Sequence, residues 1–325
     1  MNKKQILFLA GTSVILMAGA TGLLWSQKNK KEDVSSYQES DDTETGILYD
    51  GKRYQYNDHL SNYLFLGIDK REEVDGYETQ QDAGQADAIF LVSLDRATQQ
   101  LQVLTIPRDT MAQIETFNPE GKSLGMTEDH INLQYAFGDG KEKSCELMKT
   151  AVSQLLYQLP IQGYCSLNMD GIPVLTEIAG GVEVTVPDDS LQEVNPEFVP
   201  GQTVTLTKEN TEQFVRYRDI TKSQSALVRS NRQKVFLEAY LSRVQSIASQ
   251  NPGIVTEIYE GVQDYMVSNM GTDVFAKLLE ASMKHAPESQ SIPGEGVEGE
   301  SFDEFHVDED GLYELVLQMF YKTEE

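Results

Sequence analysis

Residues 88–106, AIFLVSLDRATQQLQVLTI, hold two apolar runs, 88–94 and 101–106, joined by a short polar link at 95–100. Unbroken apolar runs of this length are typical of strands buried on both faces. A link this short predicts a hairpin. Upstream, YLFLGI at 63–68 is a further buried strand that ends against Asp69, Lys70 and Arg71. A long polar loop at 71–86 separates it from the hairpin, and Pro107 closes the run at 101–106.

Helical periodicity takes over further along. Residues 141–159 place Cys145, Met148, Val152, Leu155, Leu156 and Leu159 near a 3.6-residue period, with Pro160 as a stop. Residues 172–178 form a short helix ended by Gly180 and Gly181, and 182–186 alternate as a strand. A helix over 207–217 has Thr207 as its cap, with Asn210 three residues on. A long amphipathic helix covers 226–244, with Val228, Val235, Phe236, Ala239, Tyr240 and Val244 inward. Beyond 250, helices are expected at 254–267, 273–284 and 311–321, with a Pro-, Gly-, Ser- and Glu-rich loop at 286–300. Strands and helices mixed around one core predict an α/β fold, a three-layer αβα domain with a mixed central sheet.

The first residues differ in kind. Residues 6–25, ILFLAGTSVILMAGATGLLW, carry no charge. About 20 such residues suffice to cross a bilayer core as one helix. Lysines flank both ends, so they do not orient the segment. Ala18-Gly19-Ala20 has the small residues of a signal-peptide cleavage site. The apolar run continues past it through Leu23, Leu24 and Trp25, which favours an uncleaved, single-pass anchor. The expected layout is a tail and transmembrane anchor at 1–31, an acidic stalk at 32–58, the α/β domain at 59–245 and a helical C-terminal extension with an acidic loop at 246–325. The bulk of the chain is expected outside the cytoplasm, at the cell membrane.

The chain has 325 residues and a formal charge of -26, which excludes a basic nucleic-acid footprint. Two cysteines, Cys145 and Cys165, stand outside any CxxC motif, and there are four histidines, so a structural zinc site is not indicated. The cysteines are either two buried thiols or, outside the cytoplasm, one disulfide.

Against this acidity, charges placed just past strands draw the eye. Asp69 and Arg71 follow one strand, Asp87 opens the next, and Arg108, Asp109 and Thr110 follow the third. Arg216 and Arg218, two apart, share a face if extended. Arg229 and Gln233, four apart, project from one helix face, with Arg232 near it. Guanidinium forks match phosphate oxygens in pairs. Asp69 and Asp87 can hold Mg²⁺ through hard oxygens, leaving positions for pyrophosphate oxygens. Such a site can stabilise charge developing during phosphoryl transfer. Asp109, between an arginine and a threonine after proline, reads as a turn cap.

The segments LGIDKRE (66–72), QADAIFLVSLD (85–95), LTIPRDT (104–110), HINLQYAFGDG (130–140), AGGVEV (179–184), RYR (216–218) and RSNRQ (229–233) resemble, in order, those of the LytR–CpsA–Psr family of Gram-positive cell-envelope proteins. The resemblance covers about 180 residues, 62–240, and makes 59–245 the family's catalytic domain. It implies an extracytoplasmic phosphotransferase that moves a glycopolymer, such as teichoic acid or capsule, from a polyprenyl-pyrophosphate lipid onto peptidoglycan. It implies a lipid tunnel and a pyrophosphate held by arginines and Mg²⁺. By motif position, Asp69 and Asp87 are the metal carboxylates, and Arg71, Arg108, Arg216, Arg218, Arg229 and Gln233 contact the pyrophosphate, with Arg232 beside them. Three departures stand out. Gln85 occupies an arginine position of the family pattern, His130 a lysine position, and 220–228 lacks a carboxylate. These departures leave two alternatives, a noncatalytic polyprenyl-phosphate binder of the envelope or a pyrophosphatase.

Overall fold

A computed structural model describes residues 8–9, 46–71, 73–74, 83–219, 221–222, 225–299 and 302–323. The chain divides into two units, residues 59–315 and a smaller one made of 1–58 with 316–325.

In the larger unit, β1 (Leu60–Ile68), β2 (Ala86–Asp95) and β3 (Leu101–Ile106) run antiparallel in succession. The 95–100 link is the expected tight hairpin, with Asp95 Oδ1 accepting from the Ala97 and Thr98 amides. Next come a two-stranded ribbon, β4 (Met111–Phe117) and β5 (Ser123–His130), helix α1 (Glu142–Leu155) and β6 (Gly163–Asn168). Strand β6 returns parallel to β1, so the sheet is mixed. Helix α2 (Gly171–Ile178) leads to a second hairpin, β7 (Val182–Thr185) with β8 (Thr203–Leu206). Helices α3 (Thr211–Arg216), α4 (Ser225–Ala248), α5 (Ile254–Val262) and α6 (Thr272–Lys284) follow, with β9 (Met266–Ser268) between the last two. Strands β10 (Glu288–Ser291), β11 (Gly294–Glu298) and β12 (Asp303–Val307) precede α7 (Glu309–Phe320), whose residues from 316 on belong to the smaller unit. The main sheet has the order β9-β6-β1-β2-β3-β10.

Alternation along the strands sorts the two faces. Leu64 and Leu66 lie on the face of Tyr164 and Ser166, where Tyr135 reaches Ser166 at 3.3 Å and Cys145 of α1 contacts it at 3.5 Å. Tyr63, Phe65 and Val92 lie on the other face, against Leu278 and Ala281 of α6. The sheet is thus covered by helices on both sides. Leu64, Leu91 and Leu104 are at most 1% exposed. Each such side chain stabilises the fold by roughly 1.5–3 kcal/mol. Both cysteines are free thiols, and burial pushes each up to about 12.

Several expectations are corrected. Helix α1 stops at Leu155, because Tyr157 and Gln158 take left-handed backbone angles and the Gln158 amide closes back on Ser153 O at 2.7 Å. The 207–217 helix begins only at Thr211; residues 207–210 form a turn in which Asn210 Oδ1 caps the Thr207 amide at 2.7 Å. Val228, expected inward, is 38% exposed. The helix predicted at 254–267 gives way to β9, which pairs with β6. The supposed loop at 286–300 holds β10, parallel to β3, and β11, antiparallel to β12. The C-terminal extension is therefore not purely helical; it supplies both edge strands of the main sheet.

In the smaller unit, Gly46–Tyr49 and Lys52–Tyr56 form a hairpin across Asp50-Gly51, and Tyr321–Thr323 adds a strand to it. Both turn residues have positive φ, 47° and 75°, which an Asp-Gly pair accommodates readily. Part of the stretch expected as stalk is thus regular structure. Of the apolar segment 6–25, Phe8–Leu9 is a short strand paired with Gly46 and Ile47; the rest lies outside the described residues. No helix among the described residues is long and apolar enough to cross a membrane.

Candidate functional site

The ends of β1, β2 and β3 and the first turns of α4 bring three charges together. Asp87, near the start of β2, accepts from Arg108 Nη1 on one oxygen and from Arg229 Nη1 on the other, the latter at 2.8 Å. Arg108 sits just past β3, where Pro107 ends the ladder. Its Nε donates to Asp109 Oδ1 at 2.8 Å, so the expected turn cap instead orients an arginine. Asp87 and Arg229 are both buried, and Arg229 Nε and Nη2 have no partner among the described residues. Burial lowers the pKa of Arg229, and the nearby Arg108 and Arg218 add to this against the pull of Asp87. Two buried guanidinium donors without acceptors make a strong case for an anion.

Asp69 flanks this group. Its Oδ1 accepts from the Gln85 amide at 2.6 Å, and its own amide donates to Gln85 O at 3.1 Å. Gly84 permits this approach, having φ +78° and a position where a Cβ would lie 2.9 Å from Asp69 Oδ1. Burial raises the Asp69 pKa, the Gln85 amide opposes the rise, and the Asp87 charge adds to it. The Arg108 and Lys70 charges oppose the rise more weakly, and Asp69 and Asp87 carry the hard oxygens that a divalent cation would take. No cluster of three or more acidic, histidine or cysteine side chains for a metal exists among the described residues. Water or phosphate oxygens would complete such a coordination shell, as Mg²⁺ tolerates.

The other expected residues distribute unevenly. Arg71 and Arg216 both bind Glu212, Arg216 at 3.1 Å, so one carboxylate gathers two arginines distant in sequence. Arg218 donates from Nε to Ser225 Oγ at 2.9 Å and faces Asp303 Oδ2 at 3.5 Å from Nη2. Gln233 contacts Val215 O at 3.4 Å. Arg232 is the exception. It is 1% exposed, donates to Tyr217 O and lies 3.8 Å from Asp188. Three residues along a helix leave Arg232 only about 60° round from Arg229, and it is the bond to Tyr217 O that draws its side chain away. Asp109, Glu212, Asn132 and Asp303 were not predicted as site residues. Asn132 had a signal, its place in HINLQYAFGDG; its Nδ2 holds Gln85 Oε1 at 2.9 Å.

A cavity of about 740 Å³ opens between the sheet and helices α2 and α4–α6. Asp87, Arg216, Arg229 and Gln233 line it together with Phe65, Phe90, Leu237, Leu241, Phe275 and Leu278. Asp87 opens β2, whereas Val92 lies opposite Tyr63 further along the strands. Asp87, Arg216, Arg229 and Gln233 therefore gather toward one end, and the wall that runs on from them is mainly apolar, with Lys234 and Glu238 of α4 also lining the cavity. This geometry suits an amphiphile with an anionic head.

The α/β domain thus joins an arginine cluster to a largely apolar cavity. The chain belongs to the LytR_cpsA_psr family, whose profile matches residues 23–320. It is 27% identical over 213 residues to the Bacillus subtilis polyisoprenyl-teichoic acid–peptidoglycan teichoic acid transferase TagV, spanning 64% of this chain and 49% of that one. It is 25% identical over 302 residues to the Bacillus cereus transferase of the same description, TagU, spanning 91% of this chain and 89% of that one. The crystal structure of B. subtilis TagV superposes with a TM-score of 0.60 at 24% identity, over 80% of this chain and 94% of that one, a likeness of fold.

Proposed function

We propose that this protein is a glycopolymer phosphotransferase that moves a polymer from a polyprenyl-pyrophosphate lipid onto peptidoglycan. The observation that carries this reading is Arg229, buried in the cavity wall with its Nε and Nη2 donors unpaired among the described residues. A pyrophosphate there would accept from Arg229 and Arg108, and its polyprenyl chain would follow the apolar wall. Relatives named as teichoic acid transferases support the substrate class.

In the reaction, an acceptor hydroxyl oxygen on peptidoglycan bonds to the phosphorus bearing the polymer. The bond from that phosphorus to the bridging oxygen breaks, polyprenyl phosphate leaves, and the hydroxyl proton passes to solvent. Asp69 and Asp87 would hold Mg²⁺, which supplies charge neutralisation to the phosphates when bound. Arg108, held by Asp87 and Asp109, and Arg229 bind phosphate oxygens. Arg216 and Arg218 meet the charge that builds as the bridging bond breaks. Arg71 binds at the rim beside Glu212, and Gln233 lines the path of the lipid. The segment at 6–25 anchors the chain in the cell membrane and holds the domain on the outer side, where both substrates lie.

The test is transfer by the full chain, in detergent with Mg²⁺, from a short-chain polyprenyl-pyrophosphate glycopolymer to peptidoglycan oligomers. Arg218→Ala should lower the rate at least tenfold. Equal rates would remove Arg218 from the reaction. Release of free polymer phosphate without acceptor product would establish a pyrophosphatase, and tight donor binding without turnover a noncatalytic binder.

A further inference from the structure

The stretch 220–228 carries no carboxylate for the neighbouring Arg218, and the fold supplies one from elsewhere in the chain. Strand β12 is laid against the site by three contacts. The Phe305 amide donates to Asp109 O at 2.8 Å, Thr110 and Phe305 form an isolated parallel bridge, and His130 Nε2 lies 3.0 Å from Asp303 O. These contacts fix the main chain from the Asp303 carbonyl to Phe305. That side chain is 12% exposed, and its Oδ2 faces Arg218 Nη2 at 3.5 Å. On the same guanidinium, Nε donates to Ser225 Oγ at 2.9 Å. No partner of Nη1 is found among the described residues.

We propose that Asp303 is a positioning residue. With Ser225, it holds two of the three Arg218 guanidinium nitrogens, Nε and Nη2, and leaves Nη1 for the substrate phosphate. The contact costs a long side chain its rotamer freedom before substrate arrives, so that less is lost on binding or in the transition state. Being a carboxylate, Asp303 also attracts the charged fork more strongly than a neutral partner would. His130 takes part through the main chain of Asp303. The hairpin β11–β12, in a region whose sequence reads as loop, thereby becomes part of the site. This inference rests on the phosphotransferase reading and adds to it where the arginine's orientation comes from.

The experiment is a double-mutant cycle on the full chain, scored as transfer rate at saturating donor and as the donor KM. Asp303→Asn keeps the hairpin and the His130 contact, and should lower kcat about tenfold while moving KM less than threefold. Asp303→Ala should behave alike. In an Arg218→Ala background, Asp303→Asn should change kcat less than twofold, because the carboxylate acts through the arginine. Equal losses from Asp303→Asn with and without Arg218 would overturn the inference, as would wild-type kcat in Asp303→Asn. Thermal unfolding of Asp303→Asn at the wild-type midpoint would show that the loss is not one of folding; a lost kcat accompanied by an unfolded variant would count against positioning. If the wild-type chain binds the donor but transfers nothing, the phosphotransferase reading fails. The inference is then read from inorganic pyrophosphate binding, which Asp303→Asn must weaken at least threefold in the Arg218 background only; unchanged binding overturns it.

Discussion

Arg229 donates from Nη1 to Asp87 Oδ2 at 2.8 Å, tying the first turns of α4 to a strand end 142 positions earlier. Both side chains are under 10% exposed, and Asp87 also serves Arg108. Removing the carboxylate leaves two guanidinium groups without their shared partner in a buried site. Asp87→Ala should therefore cost about 3–5 kcal/mol, the range for breaking a buried pair from one side. The urea midpoint measures it, and a loss below about 1 kcal/mol would show that water reaches both arginines. Inorganic pyrophosphate, with chelator present, should raise the midpoint of the variant more than that of the wild type, because the anion replaces the missing charge.

Asp69 gives a pH signature. Its carboxyl is raised in the folded chain, chiefly by burial, against about 3.9 when unfolded. Between those two values the folded chain binds more protons than the unfolded one, so stability from this group falls as pH rises. The contribution is most favourable below about pH 3.9 and reaches its constant, unfavourable level above the folded value. Asp69→Asn, which retains an acceptor for the Gln85 amide, should melt no lower than wild type at pH 7, with the difference shrinking toward acid pH. Mg²⁺ should raise the melting temperature of the wild type and leave Asp69→Asn unmoved, since only a bound cation stabilises by linkage. Equal Mg²⁺ shifts in both chains would place the cation elsewhere.

The parts of this site legible in the sequence were those with local signals. Continuous apolar runs fixed β1, β2 and β3, and charges just past their ends marked Asp69, Asp87 and Arg108. Partners from distant segments left no such mark. Glu212 is one glutamate among 52 acidic residues, and nothing nearby distinguishes it as the meeting point of Arg71 and Arg216. Strands β10 and β11 have largely exposed or half-exposed side chains, without the alternation that identifies a strand; tertiary pairing with β3 and β12 forms them. Strand β9, three residues long, follows α5 so closely that helical periodicity runs through it. Arg232 misleads for a different reason, since helix geometry places its Cα beside Arg229 while the Tyr217 carbonyl draws its side chain away.

Glu212 restrains two arginines at the cavity rim, with Arg71 about half exposed. Exposed pairs of this kind contribute little to stability, about 0–1 kcal/mol. Their larger effect falls on binding, because Glu212 competes with any phosphate for the same N–H groups. Glu212→Gln should leave the unfolding midpoint nearly unchanged and tighten inorganic pyrophosphate binding several-fold, measured by calorimetry at low salt. The gain should fade as salt screens the exposed charges. Weaker binding in Glu212→Gln would mean that the carboxylate orients the arginines rather than occupying them.

The throat of the cavity depends on two small residues. Gly67 and Ala88 face each other across β1 and β2, next to Asp87, and both line the cavity. A Cβ on Gly67 would already lie 3.1 Å from that of Ala88. Ala88→Phe would project its ring into open space rather than into packed core, so the fold should tolerate it. The ring would displace the first carbons of a polyprenyl chain beside the phosphates. At about 0.8 kcal/mol for each buried CH₂, displacing two is enough for a tenfold loss. Polyprenyl-phosphate affinity should thus fall at least tenfold in Ala88→Phe, while inorganic pyrophosphate, which has no chain to place, should bind as to the wild type. Parallel losses for both ligands would mean that the ring disturbs Asp87 and the arginines, and unchanged affinity for both would mean that the lipid does not pass between Gly67 and Ala88.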